Sequence, residues 1–166
     1  SSELFLRWPE AELSGVVQRT LHALGELGVL ESIDDGAAWR RPQPTSSRAI
    51  QLSLLSQATI QTIERYYLAI ALLLQAGSGV LTAKGLAERC QLMAQRIGML
   101  YGFNSPEFAD RAVFDNFIAL LLEREVLATG EGGVLRFDEV LERVAVDAEF
   151  VLSEQIRHSI LQVTHA

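Results

Sequence analysis

Three histidines and one cysteine are the residues from which this chain could assemble a base, a nucleophile or a metal site. Nucleophilic catalysis of the Ser-His-Asp kind needs a base within hydrogen-bond reach of the hydroxyl, and no Gly-x-Ser-x-Gly elbow is present to expose such a serine. His22 sits on a polar-leaning stretch of the first predicted helix and reads as solvated. His158 neighbours Arg157 and Glu154, which points to a helix-face ion pair or a partner contact. His165 stands one residue from the end, where chains fray. One Cys and three His are too few to build a zinc site readily, so no metal is expected. Cys90 falls on the apolar stripe of a helix and is expected to be a buried, inert thiol.

Phosphate chemistry fares no better. No Gly-x-x-x-x-Gly-Lys-Ser/Thr loop occurs, and Glu131 in Gly130-Glu131-Gly132-Gly133 would repel a phosphate, so that glycine run reads as a hairpin turn. No cofactor is expected. Arg40, Arg41 and Arg48 form the main basic cluster; a solvated or intramolecular role is favoured over a nucleic-acid contact. Glu64-Arg65 precedes Tyr66-Tyr67, and tyrosines beside a buried stretch anchor a core with the hydroxyl at its edge.

Composition sets the frame for these residues. The 166 residues are 49% apolar and 21% charged, which fits one soluble globular domain or two small ones sharing a core. A lone cysteine excludes an intramolecular disulfide framework. The net charge of −7 argues against nucleic acid as a partner. The longest apolar run, Tyr66 to Leu74, has nine residues, against the ~20 needed to span a bilayer. The chain begins at Ser1 without Met and without a signal-peptide layout, and is read as a piece of a longer polypeptide.

The elements that must hold these residues are mostly helical. Pro9 and Glu10 open a first helix, with Leu13, Val16, Val17, Leu21, Leu24 and Leu27 at helical spacing and Gly28 as its stop. A hairpin follows around Asp34-Asp35-Gly36, then a linker at Pro42 and Pro44. A long helix capped by Ser46 or Ser47 runs to about Gln75, and a third is capped by Thr82. Ser105-Pro106-Glu107 is read as the start of a fourth, carrying Phe108, Phe114 and Phe117. A second hairpin spans about 126–137, and Asp138 and Ser153 cap two last helices.

The expected fold is therefore mainly α, a helical domain with one or two small β-hairpins. Residues 1–44 form a helix plus hairpin and residues 45–166 a helical bundle with the second hairpin, packed as one unit. The stretches Leu24–Arg40 and Leu121–Arg136 echo each other, helix end to ribbon. This is the layout of a winged helix, and equally of two unrelated helix-hairpin junctions. The expected core is Leu54, Leu55, Ile63, Tyr67, Ile70, Leu74, Cys90, Met93, Ile97, Phe114, Phe117, Ile118 and Leu121.

Four segments in order carry a resemblance: Thr62–Ile70, Cys90–Arg96, Asn104–Phe108 and Ala148–Ile160. Together they resemble the C-terminal region of the large bacterial membrane-associated glycerol-3-phosphate 1-O-acyltransferases (the PlsB type). The resemblance implies a parent enzyme that moves an acyl group from acyl-ACP or acyl-CoA to glycerol 3-phosphate, giving lysophosphatidic acid, the first step of phospholipid biosynthesis. That parent would act at the cytoplasmic face of the bacterial inner membrane, while this piece is itself expected to be soluble.

The family's His-x-x-x-x-Asp motif is absent here: the residue five past His22 is Leu27, and five past His158 is Val163. No catalytic, cofactor-binding or metal-binding residue is therefore carried over. The resemblance implies that this region is noncatalytic. Its implied partners are the catalytic domain of the same chain and, through the parent, the membrane. The competing reading is a free-standing winged-helix or helical protein-interaction module.

Overall fold

The computed structural model describes residues 10–101 and 106–164. It is mainly α with two small antiparallel ribbons, as expected. The chain divides into two compact units, residues 1–60 and 61–166, with the division inside the long second helix.

Unit 1 begins with α1 (Glu10–Glu26), which ends in a Schellman motif. Gly28 takes a φ of +70°, its N–H bonds the Gly25 carbonyl, and the Val29 N–H reaches back to Leu24. Two orphan carbonyls are thereby satisfied and Val29 is turned inward, where it is buried. The ribbon follows: β1 (Glu31–Ile33) pairs with β2 (Ala38–Arg40) across a 3-10 turn at Asp34–Gly36, with Glu31 opposite Arg40. Trp39 lies over Gly25, where a Cβ would collide with its ring. The His22 ring meets Trp39 edge-on at 5.2 Å. Unit 1 closes with the first part of α2 (Ser47–Ala76), capped by the Ser46 hydroxyl, which accepts from the Ala49 N–H at 3.2 Å.

Unit 2 starts within α2. The helix is buried without interruption from Tyr67 to Leu73 and stops at Gly77, whose φ is +87°. The Thr82 hydroxyl caps α3 (Ala83–Tyr101) by accepting from Gly85 at 3.1 Å. A short 3-10 turn at Pro106–Ala109 leads to α4 (Arg111–Glu123), whose cap is Asp110 accepting from the Ala112 N–H at 3.0 Å. The fourth helix thus begins at Arg111 and not at the Ser-Pro-Glu signal. Phe108 is buried from the turn that precedes it.

The end of α4 repeats the end of α1. The Glu125 N–H bonds Leu122, the Val126 N–H bonds Leu121, and Glu125 occupies the left-handed position at φ +57°. The second ribbon then pairs β3 (Ala128–Thr129) with β4 (Leu135–Arg136) around a 3-10 turn at Glu131–Gly133. A third extended segment joins it: Leu135 donates to the Leu81 carbonyl at 2.7 Å, and Thr82 bridges Val134. Within unit 2 the order is helix, extended segment, helix, helix, ribbon, so the helix-to-ribbon echo is structural. Asp138 caps α5 (Glu139–Asp147) and Ser153 caps α6 (Glu154–Thr164), both as read from the sequence.

The core lies in unit 2, on α2, α3 and α4. Phe114, Leu68, Leu86 and Cys90 are wholly buried, and Tyr67, Ile70, Ile97, Phe117, Ile118 and Leu121 join them. Two expected core residues are not there: Leu54 and Leu55 are 62% and 51% exposed. They sit on the unit-1 part of α2, where no other part of that unit covers them. Ile63, Leu74 and Met93 are only half-buried. Near Ile63 the buried positions are taken by Thr62 and Glu64.

Candidate functional site

Two places concentrate polar chemistry, one in each unit. The first is a cleft of about 490 Å³ between the strap that leaves β2 and the start of α2. Pro42 and Pro44 fix the backbone φ at two positions of the strap, and a turn closed by the Ser46 N–H on the Gln43 carbonyl at 2.9 Å leads from it into the helix. Leu30, Ala49 and Leu52 make the wall apolar, and Arg41, Ser53 and Ser56 add the polar groups. Ser56 donates its hydroxyl to the Ser53 carbonyl at 2.9 Å. None of the lining residues is a base, so neither serine has a group to activate it.

The second place is the start of unit 2 on α2, inside the Thr62–Ile70 segment. Thr62 and Glu64 are buried, and Arg65 donates to the Thr62 hydroxyl at 3.1 Å. Tyr66 stacks on Phe117 of α4 at 4.0 Å with the rings 6° apart. This is the core-anchoring role expected of that tyrosine pair. Burial pushes the Glu64 carboxyl up to about 7, against the opposing pull of the Arg65 charge. The sequence singled out this Glu-Arg pair but held no sign that the carboxylate would be desolvated.

The other singled-out residues are dispersed. His22 is exposed and packs on Trp39; His158 is exposed and lies 2.9 Å from the Gln162 amide; His165 lies outside the described residues. Cys90 is buried, which pushes its thiol well above the usual range. Arg40 binds Glu31 across the ribbon at 3.0 Å, and Arg48 packs against Gly28. Both arginines thus have intramolecular roles, as expected. The glycine run 130–133 is the turn of the second ribbon. Among the described residues no group of three or more His, Cys, Asp or Glu could hold a metal ion. Nor is any described helix long and apolar enough to cross a membrane.

Residues 1–130 match the family described as "Glycerol-3-phosphate acyltransferase C-terminal region". The chain belongs to that family. Curated relatives named glycerol-3-phosphate acyltransferase from Pseudomonas fluorescens (strain Pf-5) and Pseudomonas aeruginosa (strain UCBPP-PA14) are each 44% identical over 98% of this chain. The relative of the same name from Pseudomonas fluorescens (strain SBW25) is 42% identical over the same share. The chain spans 19% of the length of each of these relatives. No solved structure matches it. This acyltransferase C-terminal region is a helical fold with two small ribbons, one in each unit.

Proposed function

We propose that this chain is the noncatalytic C-terminal region of a glycerol-3-phosphate 1-O-acyltransferase. The whole enzyme would transfer an acyl group from acyl-ACP or acyl-CoA to glycerol 3-phosphate at the cytoplasmic face of the inner membrane. The observation that carries the reading is the match to relatives of that name, of which the chain spans only 19%. The side chains support the division of labour. A hydroxyl acceptor needs a positioned base, yet His22 is turned onto Trp39 and His158 is 2.9 Å from Gln162. Glu64, whose pKa suits proton transfer, is buried within a helix of the core. The role left to the region is structural: to pack against the catalytic domain of the same polypeptide and to support its membrane association. The test compares acyl transfer to glycerol 3-phosphate by the full-length enzyme and by the 166-residue chain. Turnover by the full-length enzyme alone is the expected result. Turnover by the short chain would overturn the assignment.

A further inference from the structure

Unit 1 fully buries few of its apolar side chains; the others are half-buried or exposed. Of its described residues only Val29 and Pro42 are buried, whereas unit 2 holds all the other buried residues. Ordering a residue's backbone costs roughly 1–2 kcal/mol, and two fully buried side chains with the rest at most half-buried offset little of that for a helix, a ribbon and half of α2. The exposed residues are also patterned. Ile50 and Leu54, one turn apart on α2, are 61% and 62% exposed, and Leu55 beside them is 51% exposed. The cleft takes a different side of the same helix, through Ala49, Leu52 and Ser53. This part of α2 is apolar on two sides, and unit 1 uses one of them.

We infer that the Ile50–Leu54–Leu55 face is the seat on which the acyltransferase polypeptide preceding this region packs. The inference rests on the reading of the chain as the C-terminal region of that enzyme. The relatives are about five times as long as this chain. Since the matched family is a C-terminal region, the additional polypeptide lies ahead of α1, in the same unit as the exposed face. A covalent tether raises the effective concentration to about the millimolar range, so a small patch suffices. A separate protein would need roughly 1,200–2,000 Å² of interface, far more than three side chains supply, which disfavours a second copy. A lipid surface would call for several basic residues flanking the apolar face. Between Ser47 and Ile60 the helix has only Arg48, and that side chain packs on Gly28.

The test places a benzophenone photo-crosslinking amino acid at Leu54, and separately at Leu55, of the full-length enzyme in its native membrane. Activity and intact mass are measured before irradiation. The expected result is an active enzyme with crosslinks from both positions to peptides that precede this region in the same chain. Crosslinks to another copy, to phospholipid or to residues 61–166 would overturn the proposed seat, as would an active enzyme with no crosslink. Absence of acyltransferase activity in the unsubstituted full-length protein would instead overturn the functional reading, so the two failures are separable.

Discussion

Glu64 shows how one residue can have its chemistry set by the company it keeps. In sequence it is half of a Glu-Arg pair on an amphipathic helix, a common solvated arrangement. In the fold it is 3% exposed and titrates near 7, whereas an ordinary glutamate titrates near 4.5. Between those values the folded state keeps a proton that the unfolded chain has released. Stability should therefore fall as pH rises from about 4.5 to 7, then level off. Glu64→Gln preserves shape and removes the charge. The variant should match the parent near pH 4.5 and exceed it at pH 8 by on the order of 3 kcal/mol, from the usual conversion of a pKa shift. Urea unfolding at the two pH values checks this, and a pH-independent difference would rule out Glu64 as the source of the slope. Desolvation was illegible in the sequence because it depends on which side of α2 the rest of unit 2 covers.

The elements were more legible, because their ends are governed by local chemistry. Ser46, Thr82, Asp138 and Ser153 cap the helices they were read to cap. Both ribbons turn at the acidic-glycine sequences. α4 starts later than Ser105-Pro106-Glu107 predicts because Asp110, an equally good cap, accepts from the Ala112 N–H. The echo between the ends of α1 and α4 is closer than the sequence suggested, since the same hydrogen bonds recur. They differ at the left-handed position, which is Gly28 in one motif and Glu125 in the other. A side chain there crowds its own carbonyl, whereas glycine does not. Glu125→Gly should stabilise the chain by about 1 kcal/mol, and Gly28→Ala should destabilise it by about 1–2 kcal/mol. The added methyl in the latter would also meet the Arg48 guanidinium at 3.0 Å. Amide exchange read in the unit that holds each residue should slow in unit 2 for Glu125→Gly and quicken in unit 1 for Gly28→Ala, and faster exchange of unit 2 in Glu125→Gly would contradict it.

At the scale of the whole molecule, stability is unevenly distributed. Among the described residues, unit 2 contains nearly every buried side chain, most of them on α2, α3 and α4, and unit 1 has Val29 and Pro42. Amide hydrogen exchange of the 166-residue chain should find α3 and α4 opening with the global unfolding free energy. The amides of α1 and its ribbon should exchange at least tenfold faster, and equal protection across the two units would refute that gradient. This asymmetry also explains the one clear failure in the expected core. Leu54 and Leu55 have the spacing of buried residues. Periodicity reports that a face is apolar, but not whether its cover lies within the same stretch of chain.

The solitary thiol of Cys90 gives the molecule an internal clock. With the sulfur sealed within α3 and kept protonated by its surroundings, an alkylating reagent must wait for water to enter. Each modified molecule then records one excursion from the native state. In a mixture of unlabelled variants at native conditions, the half-time of alkylation would rank their opening free energies, with no denaturant, no fluorophore and no engineered probe.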